Sequence, residues 1–147
     1  MSADLSARIA GLEARAAVAD LVHEYARLIR RDRPDEVHRL FAPDGWFEIR
    51  DGHPDRDDST VRERLATPQA LHDYLAPGKG KPHPIPLIRN LMVEVGGDTA
   101  TANSVMDGPI QGTSHRVFGE YRDAFCKVDG AWRFASRVFT IYGSGLA

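Results

Sequence analysis

The stretch FGEYRDAFCKVDGAWRFASRV, Phe118–Val138, decides the fold because it contains a complete β-hairpin. Asp129-Gly130 is a strong signal for a two-residue turn, and long segments of alternating side chains flank it on both sides. The hairpin is predicted to pair a strand over Ser114–Val128 with a closing strand over Ala131–Tyr142.

The strand pattern continues upstream of this hairpin. Leu87–Val95 and Thr99–Ile110 are predicted to be strands, joined by the turn Gly96–Asp98. Gly108-Pro109 is expected to bend or bulge the second of them, because proline cannot donate a ladder hydrogen bond. The C-terminal half of the chain is therefore a series of consecutive strands.

The N-terminal part is predicted to be helical. Apolar residues at spacings of three and four over Leu5–Ile29 indicate an amphipathic helix that ends at Arg31-Asp32. Pro34 and the acids after it predict a short second helix. Ala42–Gly45 is expected to break that helix before a strand at Trp46–Arg50, in which alternate side chains face opposite ways.

A polar stretch follows, Asp51–Arg64, and is interpreted as an exposed loop. Thr67-Pro68 predicts the capped start of a third helix, which stops at Pro77-Gly78. Helices followed by consecutive strands with short turns favour an α+β fold with a curved antiparallel sheet over alternating βαβ units. One domain, residues 1–147, is expected.

Composition excludes several classes of function. A net charge of -2 gives no general bias toward nucleic acid. The single cysteine, Cys126, excludes an internal disulfide. No apolar run approaches the roughly 20 residues that a membrane helix needs, and the N-terminus has no signal core. We expect a cytoplasmic protein without a nucleic-acid or membrane partner.

Motifs for cofactor or metal chemistry are missing from the sequence. It contains no nucleophile elbow, phosphate-binding glycine loop, Cys-x-x-Cys or His-Glu-x-x-His. His53 with Asp55, Asp57 and Asp58 could form a weak metal site, but a solvated charged loop is the commoner meaning of such a stretch. No cofactor and no metal are expected.

Two residues on the last strands, His115 and Arg137, are candidate functional residues. His115 shares a face by alternation with Tyr121, so both would enter a cavity if that face is concave. A half-buried histidine at a strand end is an equally good interpretation. Arg137 lies among apolar neighbours and needs an acid, a carbonyl or a bound anion, of which structural pairing is the more common.

Several of these segments together resemble one known family. The helix end Tyr-Ala-Arg-Leu, the segment Leu-Phe-Ala-Pro-Asp-Gly, the Trp-Phe-Glu strand, LIRNLMVEVGGDTATANS and the opening hairpin are similar to the SnoaL-like family of the nuclear transport factor 2-like superfamily. The resemblance covers Leu12–Tyr142. It implies a cone-shaped, curved antiparallel sheet with a mixed edge, wrapped around the N-terminal helices and holding an apolar pocket. Homodimers or homotrimers that pack through the sheet are also implied.

Dehydratase-like members of that family use an Asp-His dyad, and the resemblance places it at residues that cannot supply it here. The aspartate position falls on Ile29 or Arg30, and the histidine position falls on Pro86. Asp32 and His83 lie nearby in sequence and could replace them only after a shift at the helix end or at the strand entry.

The resemblance and the alternation of side chains together give a set of candidate residues. The proposed catalytic residues are His115, Tyr25, Asp107 and Tyr121, and the proposed ligand-binding residues are Trp46, Asn90, Ser104, Arg137 and His83. The favoured function is a cofactor-free cyclase, dehydratase or isomerase acting on an apolar polyketide, terpenoid or aromatic molecule. The alternatives are a catalytically silent ligand-binding protein and an accessory subunit of a ring-hydroxylating oxygenase, against which the length argues.

Overall fold

The computed structural model describes residues 2–56 and 59–144. Helix α1, Ser2–Arg30, runs without a break through Gly11. Its N-terminal half is exposed, and its C-terminal half buries one side against the sheet, through Val18, Leu21, Val22, Tyr25, Leu28 and Ile29. None of the described helices is long and apolar enough to cross a membrane.

Two shorter helical segments complete the helical part. Pro34–Leu40 forms the expected short second helix, as a 3-10 helix. Helix α2, Pro68–Leu75, begins as predicted, with the Thr67 hydroxyl accepting a hydrogen bond from the backbone N–H of Ala70 at 3.1 Å. A 3-10 turn at Ala76–Gly78 ends it.

The strands form one six-stranded sheet in the order β2-β1-β6-β5-β4-β3. The strands are β1 Phe41–Asp51, β2 Thr60–Leu65, β3 Leu87–Gly96, β4 Thr99–Pro109, β5 Arg116–Val128 and β6 Ala131–Ser144. The β1–β6 pair is parallel and every other pair is antiparallel. The predicted α+β class, with a mostly antiparallel sheet and a mixed edge, is confirmed.

The sheet differs from the sequence prediction around its first two strands. Ala42–Gly45 does not end a helix but lies inside β1. The pairing of β1 with β6 shifts register between Phe41 and Trp46, so these four residues have no partner in β6. A proline is tolerated there because no ladder hydrogen bond is required of it. The predicted loop Asp51–Arg64 contains most of β2, a charged edge strand whose composition concealed it.

The core lies between α1 and the inner face of the sheet. Tyr25 of α1 stacks on Phe47 of β1 and meets Tyr121 of β5 edge-on, with ring centroids 6.2 and 6.1 Å apart. Phe134 of β6 also belongs to this face, although simple alternation back from Arg137 would place it on the other. A bulge at Ala135 adds one residue to β6. The residues of β6 that precede it therefore face the side opposite to the one that simple alternation predicts.

Candidate functional site

An apolar pocket opens between the inner face of the sheet and the helical segments. Its volume is about 410 Å³. Tyr25 and Ile29 of α1 line it, with a half-exposed rim from α2 and the segment after it. The sheet contributes Phe47, Ile49, Met106, Val117, Tyr121, Phe139 and Ile141. A cavity of this size and character suits a small, mostly apolar ligand.

The hydroxyls of Tyr25 and Tyr121 are the polar groups at the buried end. Both rings are more than nine-tenths buried, and neither phenol oxygen bonds another group of the described protein. Burial raises the pKa of Tyr25, and the neighbouring Tyr121 raises it further although Arg137 opposes the change. Burial raises the pKa of Tyr121 as well. Both phenols therefore stay protonated at neutral pH and are available as hydrogen-bond donors to a ligand.

Arg137 supports these two tyrosines from beneath. Its guanidinium carbon lies 3.5 Å from the Tyr121 ring centroid and 4.3 Å from that of Tyr25. The side chain is fully buried, and Nε donates to Asp123 Oδ1 at 2.9 Å. Burial raises the pKa of Asp123 to about 6, with Arg137 opposing that rise. The predicted structural pairing of Arg137 is present. Arg137 packs against two residues that line the pocket but does not line the pocket itself.

Asp32 lies beside the exposed end of the pocket, just after the C-terminal end of α1. The backbone N–H of Asp32 bonds Ile29 O at 3.1 Å and that of Arg33 bonds Leu28 O at 2.8 Å, which is the Schellman pattern of helix termination. Asp32 occupies its left-handed position with φ 58°, where glycine is the usual residue. Both carboxylate oxygens accept from the backbone N–H of Gly80, at 2.9 and 3.0 Å.

His83 faces this aspartate. It lies on the segment that leads into β3, lines the pocket, and has 20% of its side chain exposed. Its Nε2 is 3.5 Å from Asp32 Oδ1, and its Nδ1 is 3.1 Å from the backbone carbonyl of Pro84. The structure thus brings Asp32 and His83 together, while Ile29 and Pro86 line the same pocket without a titratable group.

Two predicted catalytic residues lie elsewhere. The predicted placement of His115 in the cavity is wrong, because β5 begins at Arg116 and His115 is exposed in the preceding loop. Asp107 is buried on the outer face, where Arg116 binds it with contacts of 2.6 and 2.8 Å. The expected rotation at Gly108-Pro109 does not occur, since β4 keeps one register to its end.

The predicted ligand-binding residues are also mostly outside the pocket. Trp46 lies on the outer face of β1, under the Arg64 guanidinium at 4.2 Å. Asn90 is exposed and has φ 53° at a register shift in β3, which turns its side chain out of the alternation. Ser104 is fully buried and does not line the pocket. Of the predicted ligand-binding residues, only His83 lines the cavity. Tyr25 and Tyr121, from the predicted catalytic residues, line it as well.

Some lining residues were not anticipated. Arg62 lines the pocket from β2 and was assigned to a loop, because its strand is polar. It is bound by both oxygens of Asp51, so its charge is already matched. Tyr74 lies on α2 at the exposed rim. Of the acidic stretch, His53 Nδ1 accepts from the backbone N–H of Asp55, while Asp57 and Asp58 lie outside the described residues.

Comparison with known proteins identifies the architecture. A family model described as a SnoaL-like domain matches residues 10–138. An NTF2-like protein with a cystatin-like fold from Novosphingobium aromaticivorans is 22% identical, with a TM-score of 0.69 over 99% of this chain and 92% of that one. Among curated proteins, none matches the chain.

Two further solved structures from the same organism are similar. A putative scytalone dehydratase is 21% identical, with a TM-score of 0.70 over 90% of this chain and 87% of that one. The β subunit of a putative aromatic-ring-hydroxylating dioxygenase is 20% identical, with a TM-score of 0.74 over 92% and 94%. At these identities the likeness concerns the fold. The near-complete coverage of the β subunit also shows that length does not separate this chain from such subunits.

Proposed function

Because the chain belongs to the SnoaL-like domain family, we propose that it is a cyclase, dehydratase or isomerase that transfers protons without a cofactor. Its substrate is an apolar polyketide, terpenoid or aromatic molecule that enters the pocket. One observation carries the proposal: His83 lines this apolar cavity with its Nε2 3.5 Å from the carboxylate of Asp32. The likeness to a putative scytalone dehydratase agrees with it.

In this mechanism His83 moves the proton. A carbonyl oxygen can only accept, so the contact with Pro84 O places a hydrogen on Nδ1 and leaves Nε2 as the basic nitrogen. When Nε2 takes a proton from the substrate, the imidazolium that forms lies beside the Asp32 carboxylate. Asp32 stabilises that charge, the contact of Nδ1 with Pro84 O orients the ring, and the Gly80 N–H holds the carboxylate in place.

Tyr25 and Tyr121 serve the carbonyl oxygen next to the carbon that loses its proton. Removing a proton next to a carbonyl group leaves negative charge on the carbonyl oxygen. Two neutral phenol donors in an apolar cavity stabilise such an oxyanion more strongly than water does, because they are already oriented. Their free hydroxyls at the buried end match this role.

Deuterium exchange into 2-tetralone tests the proposal. This small aromatic ketone is incubated with the protein in D₂O, and incorporation at the carbons beside the carbonyl is followed by NMR. The wild type is expected to accelerate exchange. His83→Gln should lower the rate by about 100-fold or more, since general-base catalysis contributes on that scale. Asp32→Asn keeps the left-handed backbone and an acceptor for Gly80 but loses the charge, so a smaller loss is expected.

His115→Gln is the matched control, because that histidine is exposed and outside the pocket. It should exchange at the wild-type rate. Tyr25→Phe should slow exchange without abolishing it, by removing one donor. An unchanged rate in the His83 variant, in a folded protein, would remove His83 from the mechanism and the proposal with it.

Ligand binding without turnover is the second candidate. The family dyad would fall on Ile29 or Arg30 and on Pro86, and Ile29 and Pro86 line the pocket as apolar groups. Binding of 2-tetralone to the wild type with no exchange would favour a silent binding protein or an accessory subunit. In either case we expect a homodimer or homotrimer through the outer face of the sheet, where Met92 is 70% exposed.

A further inference from the structure

A second cavity adjoins the apolar pocket at its exposed end. It measures about 350 Å³ and shares His83 with the pocket as a common wall. Apart from Gly80 and Pro82, the other residues that line it are polar or charged, among them Arg30 at the end of α1 and Lys81 and Gln111 from the loops. The two cavities together form one space with an apolar inner part and a polar outer part.

The charges of the outer part are unbalanced. Within residues 2–56 and 59–144, no carboxylate lies within 4.0 Å of Arg30 or Lys81. The one acid of the cavity, Asp32, already accepts two contacts from the Gly80 N–H and faces His83. Two cations therefore face the outer cavity against one carboxylate.

The neighbouring basic residues provide a contrast. Lys79 lies 3.3 Å from the carboxylate of Asp35, and Arg62 is bound by Asp51. Arg31 follows Arg30 in the chain and is exposed, but it lines neither cavity. Among these basic residues, therefore, only Arg30 and Lys81 both line the outer cavity and lack a carboxylate partner.

We propose that Arg30 and Lys81 bind the carboxylate of an amphiphilic ligand whose apolar part fills the pocket. This inference rests on the proposed function to the extent that the ligand is its substrate. The carboxylate replaces water around two exposed cations and lies beside His83, while the apolar body reaches the buried end. The substrate class is accordingly an aromatic or alicyclic carboxylic acid rather than a neutral apolar molecule.

A pair of probes with the same apolar body tests this assignment. 2-Naphthylacetate carries the carboxylate and 2-(2-naphthyl)ethanol does not, and both affinities can be measured by calorimetry at low ionic strength. The wild type is expected to bind the carboxylate about tenfold more tightly, since each exposed ion pair contributes a few-fold. The preference should shrink in 0.5 M salt, because exposed charges are screened.

The variants separate a local site from a general field. Arg30→Gln with Lys81→Gln should abolish the preference while leaving the affinity for the alcohol unchanged. Arg31→Gln with Lys79→Gln removes the same charge from the same region and should leave the preference at its wild-type value. Equal affinity for the two probes in the wild type, no binding of either, or the same loss in both double variants would overturn the proposal.

These outcomes are independent of catalysis. The naphthyl probes are measured by binding alone, and 2-tetralone has no carboxylate. A failed exchange experiment with a retained carboxylate preference would reject the enzyme mechanism and keep the ligand class. A successful exchange experiment without the preference would do the reverse.

Discussion

Replacing Asp123 with asparagine is expected to destabilise the protein strongly. Both members of the Asp123–Arg137 pair have fully buried side chains, and the Arg137 Nη1 atom already lacks a hydrogen-bond partner. The amide keeps one acceptor for Nε but loses the charge and opposes its NH₂ group to Nη2, which lies 3.4 Å from Oδ2 in the wild type. An uncompensated guanidinium then remains in the core.

The size of the loss follows from this burial. Breaking a buried ion pair from one side costs about 3–5 kcal/mol, and the retained hydrogen bond places Asp123→Asn near the lower limit. A loss of about 3 kcal/mol lowers the Tm of a chain of this length by about 10 °C. Urea unfolding at pH 7.5, where the carboxylate is ionised, measures the free energy directly.

An ion pair one residue away supplies the control. Arg122 of β5 contacts Asp55 at 2.5 Å, but 45% and 73% of the two side chains are exposed. Asp55→Asn should cost less than about 0.5 kcal/mol, because such pairs are solvated in both states. Replacing both buried residues, with Arg137→Met and Asp123→Leu, should give a more stable protein than Asp123→Asn alone. Equal small losses for Asp123→Asn and Asp55→Asn would refute the reasoning from burial.

The remaining predictions concern an ion-pair cluster on the sheet and two glycines, one in the sheet and one in α1. Burial alone would raise the pKa of Glu48. Hydrogen bonds from Arg50 and Arg64 outweigh that effect and hold the pKa below its ordinary value of 4.5. The ion pairs of Glu48 therefore stabilise the fold above pH 4.5, and this contribution is lost as the pH falls. Glu48→Gln should remove about 1 kcal/mol at pH 6 and little at pH 3, in urea titrations at both values; the same loss at both would contradict the assignment. A Cβ on Gly119 would lie 2.3 Å from Phe139 Cε1, so Gly119→Ala should cost about 2 kcal/mol. Gly11→Ala, with open space around it in α1, should stabilise by about 0.5 kcal/mol, and thermal melts that show the opposite order would refute the packing argument.

Local signals were sufficient for the second half of the sheet. Asp129 and Gly130 both have positive φ, of 51° and 80°, as a two-residue hairpin turn of the predicted kind requires. The alternation of β5 also predicted correctly that Tyr121 faces inward. It failed for His115 because alternation gives the face of a residue and not the end of its strand. It failed for Phe134 because a bulge has no signal of its own in the sequence.

The start of β1 and the whole of β2 were harder because these segments lack apolar periodicity. β2 is an edge strand in which three of six residues are charged, and such strands are exposed and polar so that they do not pair with other chains. The outer-face cluster of Glu48, Arg50 and Arg64 forms only when β1 and β2 meet. Arg62 and its place in the pocket could be recognised only after that pairing.

Asp32 and His83 could not be paired from the sequence for a different reason. Each lies just outside a regular element, and the backbone contact that fixes Asp32 comes from Gly80, 48 residues further along the chain. Glycine would satisfy the left-handed position of Asp32 at lower conformational cost, so the aspartate is not explained by helix termination. Asp32 is held by a distant N–H and faces a histidine that lines the pocket, which agrees with the role proposed for this pair. The unusual end of α1 therefore supports the same pair of residues that the pocket geometry selects.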